Sequence, residues 1–143
     1  MGIRLATKED LKWVNEHYRK VGFVPSNLEN ETVALVTYKN EYAGIGRIVY
    51  LHKEEAELGG IYIVEEFRGL SLANELVEYL VKETNKRNLK RVYCLPFEKL
   101  KNFYEKFGFK EFDLKEDTIN RKVLKKHQWC RENYDENVLL LKL

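Results

Sequence analysis

The chain has 143 residues, of which 44% are hydrophobic and 34% charged, with only two prolines, so a disordered or fibrous protein is excluded. A chain of this length can bury the core of one domain, and we expect a single domain over residues 1–143. The 25 basic and 23 acidic residues are interspersed and leave a net charge of +2, so no strong field favours nucleic acid or an anionic membrane.

The two cysteines, Cys94 and Cys130, lack the spacing of a disulfide framework or a zinc site. Reduced thiols of this kind indicate a cytoplasmic protein. No apolar run approaches the ~18 residues needed to cross a bilayer, so no membrane partner is expected. The three histidines occur in no metal-ligand or triad spacing, and we assign no metal. Homodimerisation stays an open alternative.

The chain opens with a strand and a helix. Residues 3–6 predict a short strand. Leu11, Val14 and Tyr18 recur at helical spacing, and Thr7 can cap the helix that they predict.

An antiparallel meander follows. Residues 22–30 are rich in turn-forming residues and predict irregular structure. Residues 32–38, 42–51 and 57–64 each predict a strand, because they are rich in β-branched and aromatic residues and are separated by short polar turns.

The second half of the chain alternates helices with strands. Its predicted elements are an amphipathic helix of about four turns that carries Leu72, Leu76, Val77 and Leu80, a strand at 91–95, a short helix ended by Gly108, a strand at 109–112, a helix near 118–134 and a strand at 138–143. The fold class is therefore α/β (α+β), with a central mixed, mostly antiparallel sheet of about seven strands flanked by about four helices.

The most informative segment, residues 57–73, is a strand that runs through a glycine-bearing turn directly into a helix. The unpaired N–H groups and the dipole of a first helical turn attract anions. Gly69, together with the small Ser71 and Ala73, lets a pyrophosphate approach the backbone, and Arg68 can add a charge-assisted contact. A turn that needs glycine only for its own geometry explains the same residues equally well.

The chain resembles the GNAT superfamily of N-acetyltransferases. The superfamily signature Gln/Arg-x-x-Gly-x-Gly/Ala follows the fourth strand and is written here as Arg68-Gly69-Leu70-Ser71-Leu72-Ala73, with Ser71 where glycine is usual. Residues 57–63 and 103–109 also look like this superfamily, in its order. A serine at the glycine position could still cap the helix or donate its hydroxyl to phosphate.

This resemblance implies an acetyl-CoA-dependent N-acetyltransferase with a GNAT-like fold, whose sheet is splayed between the fourth and fifth strands. It implies that acetyl-CoA or coenzyme A is bound by Ile61, Tyr62, Ile63, Arg68, Gly69, Leu70, Ser71, Leu72, Ala73 and Asn74. In the superfamily the fourth strand turns free amides towards the thioester, a role that maps onto Ile61 and Ile63. A bulge at Gly59-Gly60 would suit that divergence.

Two catalytic residues are implied by the same resemblance. Glu57 matches the carboxylate that removes the proton of the amine, directly or through water, and a solvent-facing strand glutamate is the alternative. Tyr104 matches the tyrosine that protonates the coenzyme A thiolate, and a purely structural aromatic stripe is the alternative. Phe97 replaces an asparagine often found at its position, which removes one expected hydrogen bond to pantetheine. Cys94 could accept the acetyl group covalently, but direct transfer is the default prediction.

The expected acceptor is a primary amine of a small molecule. An amino acid is among the candidates, because the tail of the chain resembles that of GNAT members close to amino-acid acetyltransferases. Arg47 could pair with an acceptor carboxylate, or face solvent. On the tail helix, His127 and Cys130 are candidates for lining a pocket on a face otherwise used for packing.

Two other functions stay open. One is a catalytically silent acyl-CoA-binding or sensor domain. The other is a nucleic-acid adaptor that uses the basic run Arg121, Lys122, Lys125 and Lys126, although its acidic neighbours favour a solvated face.

Overall fold

A computed structural model describes residues 1–112 and 118–143 of the chain. The strands are β1 (Gly2–Leu5), β2 (Glu31–Tyr38), β3 (Glu41–His52), β4 (Glu55–Ile63), β5 (Arg91–Cys94), β6 (Lys110–Glu111) and β7 (Leu141–Lys142). The helices are α1 (Leu11–Lys20), α2 (Leu72–Lys86), α3 (Lys101–Glu105) and α4 (Arg121–Asn133). Every predicted element is present, with shifts at the ends.

These strands form one sheet in the spatial order β1-β2-β3-β4-β5-β7-β6. Neighbouring strands run antiparallel except for β4 and β5, which are parallel. The predicted mixed, mostly antiparallel sheet flanked by helices is confirmed.

The parallel pair is short. β4 and β5 are in register only from Glu55 with Arg91 to Glu57 with Tyr93. Beyond Glu57, β4 continues beside β3, whereas β5 pairs on its other side with β7. The two strands therefore part directly after Glu57, which confirms the predicted splay.

A bulge lies in β4 just past this point. Two of its residues, Gly60 and Ile61, stand opposite the single residue Gly46 of β3. Gly60 has a φ of +61°, in the left-handed region that favours glycine. The Tyr18 hydroxyl of α1 donates a hydrogen bond of 2.7 Å to the Gly60 carbonyl, so the bulge is tied to the helix below it.

Different helices cover the two faces of the sheet. The apolar stripe of α2 packs on one face, in a core that includes Leu76, Val77 and Leu80. α1 packs on the other face through Val14 and Tyr18. The strands β2 and β3 are thus covered on both faces, and the β4–β5 pair lies next to them in the middle of the sheet.

Two boundaries near the end of the chain differ from the predicted ones. α4 begins at Arg121 instead of near residue 118, because the Asn120 side chain accepts a 2.8 Å hydrogen bond from the Lys122 N–H and caps the helix there. The predicted strand over residues 138–143 pairs only at Leu141–Lys142, apart from an isolated bridge between Val138 and Phe97.

Candidate active site

A cavity of about 390 Å³ opens where β4 and β5 part. Residues of β3, β4, α3, α4, the segment after β5 and the loop after α1 surround it. The side chains in its wall that carry ionisable groups are Arg47, Glu57, Cys94, Tyr104, Lys126, Cys130 and Tyr134. Both predicted catalytic residues, Glu57 and Tyr104, are therefore brought to one space.

Glu57 is buried, with 7% of its surface exposed, and occupies the last β4 position paired with β5. Its Oε2 accepts a hydrogen bond of 2.6 Å from Nζ of Lys126, which reaches the cavity from α4. The solvent-facing alternative for Glu57 is therefore wrong. Lys126 lines the cavity, and its charge is paired with Glu57, although 45% of its side chain is exposed.

Tyr104 and Cys94 meet in the cavity wall. Burial raises the pKa of the Tyr104 phenol well above its usual value, and the nearby Cys94 thiol raises it further. Burial also raises the pKa of the Cys94 thiol, and the nearby Glu57 carboxylate raises it further. Both groups therefore keep their protons at neutral pH.

Arg47 also borders the cavity, but the loop after α1 engages its guanidinium. Nη1 donates hydrogen bonds to the Val24 carbonyl (2.8 Å) and to Oγ of Ser26 (2.6 Å). Glu31 lies 3.7 Å away, and the guanidinium sits 4.5 Å from the ring centroid of Tyr18. Arg47 therefore does not face solvent, and Glu31 offsets its charge.

A second hollow, of about 310 Å³, lies at the start of α2. Seven of the predicted cofactor residues line it: Ile63, Arg68, Gly69, Ser71, Leu72, Ala73 and Asn74. The hollow thus faces the first helical turn, whose N–H groups have no partners within the helix. Arg68 closes the turn before it, since its Nε donates to the Ile63 carbonyl at 2.9 Å.

Ser71 adopts a conformation that normally belongs to glycine. Its φ is 61° and its ψ is 22°, in the left-handed region, directly before α2. Its side chain makes no capping hydrogen bond, so the expectation that the hydroxyl caps the helix is wrong. The hydroxyl points to no backbone amide of α2 because the left-handed backbone replaces the extended N-cap geometry in which a serine oxygen reaches the helix.

The other predicted cofactor residues lie outside this hollow. Ile61 lines the larger cavity. The Tyr62 side chain packs with the α1 cluster, its ring centroid 6.0 Å from that of His17, and the Arg68 guanidinium lies 5.7 Å from the centroid of the same ring. Leu70 is 44% exposed at the tip of the turn.

Lys106 is a neighbour of this hollow that sequence reasoning missed. Its Nζ donates to Oδ1 of Asn74 at 3.3 Å, which brings a cation from beyond α3 to the first turn of α2. Its position two residues after Tyr104, within the motif at residues 103–109, was the available signal.

Of the two tail-helix candidates, Cys130 lines the cavity, whereas His127 bonds through Nε2 to the Val138 carbonyl at 2.7 Å.

The described part of the chain offers neither a metal site nor a membrane span. Within residues 1–112 and 118–143, no group of three or more histidine, cysteine, aspartate or glutamate side chains could hold a metal ion. Within the same ranges, no helix has the length and apolar character needed to span a bilayer.

A sequence model described as the acetyltransferase (GNAT) family matches residues 4–109. The chain belongs to this family. The matched range contains Glu57, Tyr104 and the whole turn before α2, so the predicted resemblance and the predicted class of enzyme, an acetyltransferase, are confirmed. No curated protein matches the chain.

Solved structures share this fold. The Rv2747 protein of Mycobacterium tuberculosis, in complex with coenzyme A, has a TM-score of 0.77 at 16% identity, over 100% of this chain and 98% of that one. The ribosomal-protein-S18-alanine N-acetyltransferase of Escherichia coli has a TM-score of 0.72 at 18% identity, over 99% and 92%. The aminoglycoside 6'-N-acetyltransferase of Enterococcus faecium has a TM-score of 0.72 at 14% identity, over 100% and 96%. At these identities the likeness shows the fold alone, and the two acceptors named for these relatives are a ribosomal protein and an aminoglycoside.

Proposed function

We propose that this GNAT acetyltransferase transfers the acetyl group of acetyl-CoA directly to the primary amine of a small molecule. The observation that carries the proposal is the cavity at the divergence of β4 and β5, where a buried carboxylate, Glu57, and a buried phenol, Tyr104, face the same space. Amide formation from an ammonium group needs a proton acceptor and a proton donor in one site.

The hollow at the start of α2 fits the phosphates of coenzyme A. It combines the unpaired N–H groups of a 15-residue helix with two cations, Arg68 and Lys106. Gly69 adds room for a close approach, because a Cβ at this position would meet no atom within 4 Å. These residues would hold the pyrophosphate, and the ligand agrees with the coenzyme A bound to Rv2747.

The backbone of β4 supports the proposed path from this hollow to the cavity. The N–H of Val64 donates to the Ala43 carbonyl of β3 at 2.8 Å. Because successive backbone groups of a strand point to opposite sides, the N–H of Ile63 points away from β3, to the side that β5 has left. Ile63 lines the hollow and Ile61 lines the cavity, so neighbouring positions on one strand connect the two.

Acetyl-CoA supplies the activated thioester, and residues of the chain move the protons. Glu57 accepts a proton from the acceptor ammonium, and Tyr104 donates its proton towards the departing sulfur. Direct transfer is favoured over an acetyl-cysteine route, because the raised pKa of Cys94 keeps that thiol protonated and a poor nucleophile.

The lining of the cavity supports a small amine as the acceptor. Its charged groups are paired within the protein, Glu57 with Lys126 and Arg47 with Glu31. An amino-acid acceptor would have to compete with Glu31 for Arg47, so amines without a carboxylate fit at least as well.

Both cysteines are free and buried, which supports a reducing, cytoplasmic location.

Two linked measurements test this function. Acetyl-CoA should raise the melting temperature of the protein, and Arg68→Glu should abolish most of that shift, whereas the exposed control Arg19→Glu should leave it intact. Thiol release from acetyl-CoA should then be screened against small amines, polyamines and amino acids. Binding of acetyl-CoA without turnover of any amine would indicate the silent acyl-CoA-binding alternative, and an equal shift in Arg68→Glu would move the phosphate site elsewhere.

A further inference from the structure

The ion pair between Lys126 and Glu57 puts a primary amine of the protein itself into the cavity. Nζ of Lys126 lies 2.6 Å from Oε2 of Glu57, and Lys126 lines the same cavity as Ile61 and Tyr104. An acceptor amine that gives its proton to Glu57 directly must make the same contact. Nζ of Lys126 therefore lies where an acceptor amine would contact Glu57.

The position of Lys126 differs from that of the other lysines on its helix. All three lysines are exposed, but only Lys126 lines the cavity, and its ammonium reaches the 9% exposed side chain of Glu57. The Lys126 side chain thus remains 45% exposed while its nitrogen lies at the carboxylate. α4 thereby carries one amine inside the site and two chemically matched amines outside it.

We propose that Lys126 is an acetylation site of the chain itself, modified within the same molecule by acetyl-CoA. The inference rests on the proposed function, since it uses the same donor, carboxylate and phenol. A fixed amine beside its base meets the donor at a high effective concentration, which favours transfer within one molecule.

The step balances without a further reactant. The Lys126 ammonium gives one proton to Glu57, and the neutral nitrogen forms a bond with the acetyl carbonyl carbon as the carbon–sulfur bond breaks. The sulfur leaves with the bonding electron pair and takes the proton of Tyr104, while the nitrogen loses its second proton, which restores the phenol. The products are an N-acetyl-lysine, free coenzyme A and one proton, which leaves Glu57 for solvent.

The test is incubation of the full chain with acetyl-CoA at neutral pH, followed by peptide mass spectrometry over time. Lys126 should be acetylated about 10²-fold faster than Lys122 and Lys125, in line with the contribution of a positioned general base. The rate constant for acetylation of Lys126 should not change with protein concentration, because the transfer takes place within one molecule. Glu57→Gln should slow the modification of Lys126 about 10²-fold and leave that of Lys125 unchanged. Any small amine that is turned over should slow the modification of Lys126, because both acceptors need Glu57.

Three results would overturn the inference. If the protein binds acetyl-CoA and acetylates small amines while Lys126 stays unmodified or reacts no faster than Lys125, the self-acetylation is wrong and the proposed function stands. If acetyl-CoA gives no thermal shift and no amine is acetylated, both fail together. Lys126→Arg keeps a cation at Glu57, and this variant should bind acetyl-CoA but gain no acetyl group at position 126. If mass spectrometry finds as many acetyl groups per chain in this variant as in the unmodified sequence, the modification lies elsewhere.

Discussion

Replacement of Gly60 by alanine tests the bulge that separates β4 from β5. A Cβ on Gly60 would lie 2.7 Å from the Tyr18 hydroxyl and 3.0 Å from Nε of Arg47, and the φ of +61° is unfavourable for any other residue. The left-handed backbone costs about 1–2 kcal/mol. Displacement of the buried Tyr18 hydroxyl from the Gly60 carbonyl adds about 1–3 kcal/mol for an unsatisfied polar group. We therefore expect Gly60→Ala to lower the free energy of unfolding by roughly 2–5 kcal/mol.

Gly22→Ala is the matched control for this experiment. Gly22 has a φ of +79°, but a Cβ there would meet no atom within 4 Å, so only the backbone cost of about 1–2 kcal/mol applies. Urea unfolding of both variants gives the comparison. If Gly60→Ala costs no more than Gly22→Ala, contact with Tyr18 and Arg47 does not hold the bulge, and the argument for its geometry is refuted.

Two further variants test the hydroxyl groups of the proposed site. Ser71→Gly should leave the free energy of unfolding unchanged or raise it by at most ~1 kcal/mol, as measured by urea unfolding. Glycine adopts the left-handed backbone of this position without strain, and the substitution removes no capping hydrogen bond. It should leave coenzyme A binding intact or tighter, and clearly weaker binding would show that the hydroxyl contacts phosphate. Tyr104→Phe keeps the ring packed against Phe103 and Phe109 but should slow turnover by about 10² to 10⁴, with coenzyme A binding barely changed. Full activity in this variant would mean that water protonates the sulfur.

Much of the fold follows from local sequence patterns. The polar residues between β2 and β3 predict a turn, and Lys39 and Asn40 adopt the positive φ values of a tight hairpin there. The stripe of α2 was visible in the spacing of its apolar residues, because a helix covering a sheet buries one face. The divergence of β4 from β5 came only from the family resemblance, since no local pattern records where two strands stop pairing.

The sequence predicts which residues line the site but not how their side chains are oriented or which groups they contact. The face that Glu57 uses could not be read from alternation, because the bulge at Gly60 interrupts it. The ion pair of Glu57 with Lys126 joins residues 69 positions apart, and only tertiary packing brings α4 over the cavity. The left-handed conformation of Ser71 was likewise hidden, because serine is compatible with an ordinary helix cap.

The central claim is that Glu57 removes the proton of the acceptor amine in a direct transfer. Its most direct test is the pH dependence of acetyl transfer in Glu57→Gln, which keeps the size of the side chain and removes its charge. Turnover should fall about 10²-fold or more at neutral pH and recover in part in alkali, where the amine loses its proton unaided. The thermal shift with acetyl-CoA should stay that of the unmodified protein. A rate equal to that of the unmodified protein at neutral pH would contradict the account.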